Sequence, residues 1–134
     1  SITVNFPVLV EGDETNEEIA DTVRCIIDGH IFLSRKIASR NHYPAIDVLN
    51  SLSRLMNGIA DPQHKEAAGK MRNMMSVYRD NEDLISIGAY KAGSNPVVDG
   101  AVMHQKKINQ FLQQRVDEKF DFAQMLIELK KAVN

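Results

Sequence analysis

Apolar and polar positions keep two different rhythms along this chain. Over residues 2–10, "ITVNF" alternates and "PVLV" runs continuously apolar. Both predict a strand in a sheet covered on its two faces. Pro7 adds an edge position or a local irregularity. Residues 11–18, "EGDETNEE", are acidic and polar. Thr15 or Asn16 can cap a helix whose first turn holds Glu17 and Glu18, where the helix dipole favours carboxylates. Ile19, Val23, Ile26 and Ile27 then recur at helical spacing, and Asp28-Gly29 ends the helix. "HIFLS" predicts a second short buried strand, and residues 35–40 a short helix.

After Pro44 the pattern changes, and from Gln63 onward it is helical throughout. Pro62 suits a helix start. Ala67, Met71, Met74, Met75 and Tyr78 form one apolar stripe. Leu84, Ile85 and Ile87 predict a further short helix that Gly88 weakens or ends. "KAGSNP" is a turn cluster. Val98, Ala101, Val102, Ile108, Phe111 and Leu112 follow at helical spacing. A last helix carries Phe122, Met125, Leu126 and Leu129, with Lys130 and Lys131 at its C-terminal end.

The expected fold class is α+β, mostly α. Two strands are too few for a self-sufficient sheet buried on both faces, so the chain reads as a piece of something larger. The composition fits: 134 residues, 43% hydrophobic and 25% charged, suffice for one core. A net charge of −2 gives no general attraction to nucleic acid or anionic membrane. No apolar run approaches the roughly 20 residues that cross a bilayer. No basic segment leads into an apolar one at the start, so no secretory leader is expected. Cys25 is alone, which excludes an internal disulfide and fits a reducing compartment. His30, His42, His64 and His104 lack zinc spacing and read as surface or hydrogen-bonded residues. The six methionines read as core filler, and "HQKK" as a solvated helix face.

A core accounts for the Leu and Ile residues of "NHYPAIDVLNSLSRLM" but not for Tyr43 and Arg54. The longer stretch "LVEGDETNEEIADTVRCIIDGHIFLSRKIASRNHYPAIDVLNSLSRLM" closely resembles the flagellar and type III secretion export ATPases, relatives of the catalytic subunit of rotary ATP synthases. "DGHIFLSR", "HYPAIDVLNSLSR" and "IGAYKAGSNP" stand in the family's order and spacing, the last looking more like the flagellar branch. Residues 1–7 depart from the usual run after "SIT".

The resemblance implies the last strands of a RecA-like nucleotide-binding core over residues 1–60, then a C-terminal helical bundle over 61–134. It implies a homo-hexameric ATP hydrolase using ATP and magnesium, driving protein export from the bacterial cytoplasm. The partners it implies are an export stalk protein, export substrates and their chaperones, at the periphery of the inner-membrane export gate and with no nucleic acid. The tyrosine of "HYPAID" stacks on adenine in the family, and Tyr43 holds that position. Phe122 falls at the position of a second aromatic, with Phe120 as its near competitor and core packing as the other account of Phe122. Arg54 matches the family's arginine finger, which reaches the γ-phosphate held by a neighbouring subunit. The plain alternative for it is a surface salt bridge. Arg35 reads as structural, paired with a carboxylate such as Asp47. Asp13, Glu14, Asn16 and Glu17 match the acidic loop that meets the central stalk, although a solvated helix entry explains the same residues. "AYKAGSNPVVDG" stands where the synthase subunit presents an acidic helix–turn to its stalk.

No G-x-x-x-x-G-K-[ST] occurs in these residues, nor an apolar strand ending in a metal-supporting acid. In the family both lie upstream of the stretch matched here. The chain is therefore expected to be a C-terminal fragment without a metal ligand set, holding no bound cofactor. An interaction module that binds the stalk or chaperone–substrate complexes, with no catalysis of its own, is the competing account. Alone, the chain is expected to show no ATP turnover; phosphate release scaling with its concentration would overturn that expectation.

Overall fold

The computed structural model describes residues 2–10 and 18–134. Its order is α1 (Glu18–Ile26), β1 (Gly29–His30), α2 (Arg35–Ala38), β2 (Leu52–Ser53), α3 (Met56–Ile59), α4 (Pro62–Ser86), α5 (Pro96–Leu112) and α6 (Phe122–Val133). The chain is mostly helical, and helices α4, α5 and α6 pack on one another as a bundle.

Each bundle helix starts at a side-chain cap. Asp61 accepts from the His64 N–H at 2.8 Å, with Pro62 supplying a fixed φ just inside α4. That bond is also what holds the Asp61 carboxyl below its ordinary range. Asn95 accepts from the Val97 N–H at 3.0 Å ahead of Pro96. Asp121 accepts from the Gln124 N–H at 2.7 Å. Helix α4 ends where Gly88 turns left-handed (φ 71°). The Gly88 and Ala89 N–H groups then fold back to the carbonyls of Ile85 and Leu84, which gives the last turn its missing partners.

The core joins Ala67 and Met71 of α4, Ile108 of α5, and Leu129 and Val133 of α6. Met74, Met75, Phe111, Leu112 and Met125 pack around it, so four methionines do serve as filler. Helix α4 runs unbroken through Leu84 and Ile85; the separate short helix expected there is its last turn. The polar stretch between Tyr78 and Leu84 holds no Gly or Pro, and Asp or Asn costs a helix under about 1 kcal/mol each. Phe122 stays off the core, 66% exposed, while Ala132 and Val133 take the buried places of α6.

The predicted strands differ more. Residues 2–10 form no strand and stand largely exposed, Ile2 at 92% and Leu9 at 98%. An extended segment becomes a strand only by pairing its N–H and C=O groups, and no described residue pairs with this one. "HIFLS" contributes only His30 to a strand, with Ile31 and Leu33 exposed. Among the described residues the sheet is a two-stranded antiparallel pair, Gly29 opposite Ser53 and His30 opposite Leu52, followed by an isolated bridge between Leu33 and Ile46. Gly29 is required there, since a Cβ would sit 2.7 Å from the Leu52 carbonyl oxygen. The apolar faces read as buried are thus open, and Ile19 and Ile26 of α1 are exposed with them. Thr15, Asn16 and Glu17, expected at the entry of α1, lie outside the described residues.

Candidate functional site

Residues 41–54 carry both Tyr43 and Arg54, and little in them is regular structure. Local bonding shapes the segment. Asn41 takes a left-handed φ of 57°, a conformation that asparagine tolerates. The Ser34 N–H donates to the Ala45 carbonyl and the Asp47 N–H to the Phe32 carbonyl, flanking the Leu33–Ile46 bridge. The Asp47 carboxylate then accepts from the Asn50 backbone N–H at 3.1 Å and from its side-chain amide at 2.7 Å. That corrects the expected Arg35–Asp47 ion pair, which the structure does not form: Asn50 lies three residues away in the same turn and satisfies the carboxylate locally. Ser51 Oγ donates to the Asp47 carbonyl at 2.7 Å and accepts from the Phe32 N–H at 2.9 Å.

Long-range bonds then fix this segment against the helices. The Gln114 N–H, just past the end of α5, donates to the Tyr43 carbonyl at 3.0 Å. Arg40 pairs with Glu82 of α4 at 2.6 Å. Arg72 of α4 donates to the carbonyls of Val48 at 2.7 Å, Leu49 at 3.3 Å and Ser51 at 3.4 Å. The sequence held no sign of Arg72, because its partners are backbone oxygens more than twenty residues upstream.

Tyr43 is held by its backbone, and the residue is 53% exposed. Beside it, partial burial pulls the His42 imidazole below its ordinary pKa. The Arg54 N–H donates to the Asp28 carbonyl at 2.8 Å, in continuation of the β1–β2 pairing. Its exposed guanidinium lies at the C-terminal end of α1, donating to Ile27 O at 3.2 Å and Arg24 O at 3.3 Å. A cation suits that end of a helix. Both contacts are long for charge-assisted hydrogen bonds, near 2.7–2.9 Å at best, and therefore weak. Among the described residues the side chain makes no salt bridge.

The two phenylalanines part company. Phe122 packs edge-on to His64 in the first turn of α4, ring centroids 5.9 Å apart at 72°. Phe120 lines a cleft of about 650 Å³ between α5 and α6, bordered also by Phe111, Gln114, Met125 and Lys131. Gln114 is the residue that holds Tyr43. Beyond α4, the loop at 90–95 closes on Asp99: its carboxylate accepts from Tyr90 Oη at 2.8 Å and from the Gly93 N–H at 3.1 and 3.0 Å. Partial burial and then the Asp99 carboxylate raise the Tyr90 pKa. Asp13, Glu14, Asn16 and Glu17 lie outside the described residues. Among the described residues no group of His, Cys, Asp or Glu could hold a metal ion, and no helix is long and apolar enough to cross a membrane.

Residues 60–131 match the family model described as the T3SS EscN ATPase C-terminal domain. Residues 1–53 match that of the ATP synthase alpha/beta family, nucleotide-binding domain. The chain is 50% identical over 118 residues to a flagellum-specific ATP synthase of Bacillus subtilis, covering 88% of this chain and 27% of that protein. It is 45% identical over 118 residues to a type 3 secretion system ATPase of Pseudomonas savastanoi pv. phaseolicola, covering 88% and 26%. The assembled ATPase EscN from the type III secretion system of enteropathogenic E. coli superposes with a TM-score of 0.90 at 38% identity, over 95% of this chain and 31% of that one. EscN in complex with its central stalk EscO gives 0.81 at 38% identity, over 87% and 29%. The chain spans less than a third of the length of these relatives. By sequence and by fold, it belongs to the flagellar and type III secretion ATPase branch of the ATP synthase alpha/beta family.

Proposed function

We propose that this chain is the C-terminal part of an ATP hydrolase that energises protein export, residues 1–60 completing the nucleotide-binding core and 61–134 forming the helical domain. The observation that carries the proposal is the joint placement of Tyr43 and Arg54. One segment holds both, clamped through its backbone, with an aromatic face and a guanidinium left at the surface.

Tyr43 stacks on the adenine of ATP bound to its own subunit, an interaction that needs area and no matching hydrogen bonds. Phe120 suits the second aromatic better than Phe122, because it borders a cleft also lined by Gln114, whose backbone N–H holds the Tyr43 carbonyl, whereas Phe122 is engaged with His64. Arg54 leaves its weak hold on α1 and extends to the γ-phosphate bound by the neighbouring subunit of a hexamer. In hydrolysis this chain contributes Tyr43 and Arg54. EscN's solved assembly and its complex with a central stalk support the same two arrangements here. The stalk contact falls to the 90–95 loop and to Asp13, Glu14, Asn16 and Glu17. A cytoplasmic protein at the inner-membrane export apparatus, receiving substrates and chaperones, completes the reading.

The experiment is nucleotide affinity in the intact ATPase. Tyr43→Ala weakens ATP binding about 5- to 150-fold, the equivalent of about 1–3 kcal/mol for one stacked base, with turnover at saturation little changed. Phe120→Ala shifts affinity in the same direction and Phe122→Ala leaves it alone. Unaltered ATP affinity in Tyr43→Ala would overturn the assignment of this segment to the nucleotide.

A further inference from the structure

We infer that Arg72 is a positioning residue for the reaction: it fixes Arg54 relative to the helical bundle by gathering the carbonyls of the turn that precedes it. The inference rests on the reading of Arg54 as the group that meets the γ-phosphate.

The bundle and the upstream elements share little packing. Among the described residues, extensive helix-on-helix contact is confined to α4, α5 and α6, and β1 pairs only with β2. What crosses between the two parts at residues 40–51 is a set of hydrogen bonds, and Arg72 makes three of them. Its Cα is fixed, since it follows Met71, one of the buried core residues. Its planar fork offers donors in several directions from one rigid group, which is what three diverging carbonyls require. The fourth carbonyl of the same turn, Asn50 O, takes the His30 Nε2 from β1 at 2.8 Å. Four consecutive carbonyls are therefore divided between the bundle and the sheet.

The path from that turn to Arg54 is short and stiff. Arg72 holds the turn firmly at the Val48 carbonyl, 2.7 Å away, and only at 3.4 Å at that of Ser51, which is itself tied through Oγ to Asp47 and Phe32. Leu52 and Ser53 follow as β2, locked against Gly29 and His30, and Arg54 comes next with its own N–H on Asp28. Only the two residues of β2 separate the turn from Arg54, so displacement of the turn is passed on to it along the backbone. A group that must meet a transferring phosphoryl in one geometry is sensitive to such displacement, and a shift near 1 Å costs on the order of 100-fold in rate.

The test is a double-mutant cycle in the intact ATPase with Arg72→Ala, Arg54→Ala and the pair. Arg72→Ala lowers kcat about 10- to 100-fold with KM for ATP within about twofold. Arg72→Lys regains only part of the loss, because one ammonium cannot span three carbonyls. In the Arg54→Ala background Arg72→Ala causes no further loss, since the residue acts through a group already removed. A full additional loss in that background would overturn the inference, as would an unchanged kcat in Arg72→Ala while Arg54→Ala is impaired. If Arg72→Ala does not assemble, Arg72→Lys takes its place in the same cycle and is judged by the same additivity. Normal turnover in Arg54→Ala would instead sink the reading of Arg54 itself, and the inference with it.

Discussion

Replacing Arg54 with alanine in the intact ATPase lowers turnover by about 10³-fold or more while ATP affinity stays within a few-fold. The asymmetry follows from when the side chain acts. Charge spreads over the phosphoryl oxygens during transfer, and a guanidinium placed there stabilises the transition state more than bound ATP. Loss of such a contact falls on kcat and leaves ground-state binding alone. A structural role would predict something else, because Arg54 also holds the Ile27 and Arg24 carbonyls at the end of α1. Those bonds are long and exposed, and their loss would fall on the stability of the α1 end and not selectively on kcat. Arg54→Lys restores little, since an ammonium lacks the fork that bridges two oxygens. Subunit mixing supplies the decisive readout. Combining Arg54→Ala subunits with subunits lacking the phosphate-loop lysine creates interfaces where an intact site meets an intact guanidinium, and activity returns. Mixed hexamers that stay inactive would exclude action across the subunit boundary.

Ile108→Ala unfolds the bundle more easily by about 2–5 kcal/mol. Ile108 is the one large side chain of the described residues with no measurable exposure, and it sits between Met71 of α4 and Leu129 and Val133 of α6. Truncation removes its buried methyl groups and leaves a void that three helices cannot close without moving their caps. A domain of this size commonly has a total stability of about 5–15 kcal/mol, so the loss is a large share of it. Urea denaturation followed by circular dichroism measures the difference on this chain directly. Met103→Ala, on the same helix but exposed, is the control and changes stability by less than about 0.5 kcal/mol. A shift below about 1 kcal/mol for Ile108→Ala would mean that the three helices do not meet at that residue.

The helices that build the core were legible because their signals are local. Pro62, Pro96 and Gly88 punctuate the chain within a residue or two of the observed ends, and period 3.6 marks Ala67, Met71 and Ile108. What sequence could not supply was pairing. Residues 2–10 carry a good strand pattern, yet a strand exists only beside another, and the partner is not encoded in the pattern. The same limit hid Arg72, whose partners are backbone oxygens with no side-chain signature. It also put the second aromatic at Phe122 ahead of Phe120, since two residues apart near a helix start are separated only by where the start falls. Asp121 caps α6, so Phe122 enters the helix and meets His64 while Phe120 stays in the loop beside the cleft. The Asp47 partner was misjudged for a simpler reason: the nearest donor was in its own turn.

The loop closed by Asp99 bears on how a partner protein would be met. Tyr90, Gly93 and Asn95 are all tied down before any encounter, Tyr90 Oη reaching the Asn95 carbonyl at 3.1 Å and Ser94 Oγ the Lys91 carbonyl at 2.6 Å. Freezing a floppy loop of that length on docking would forfeit about 1–2 kcal/mol per residue in backbone freedom. Here that freedom has already been surrendered during folding. The knuckle is rigid before any partner arrives, so docking on it would need little further ordering.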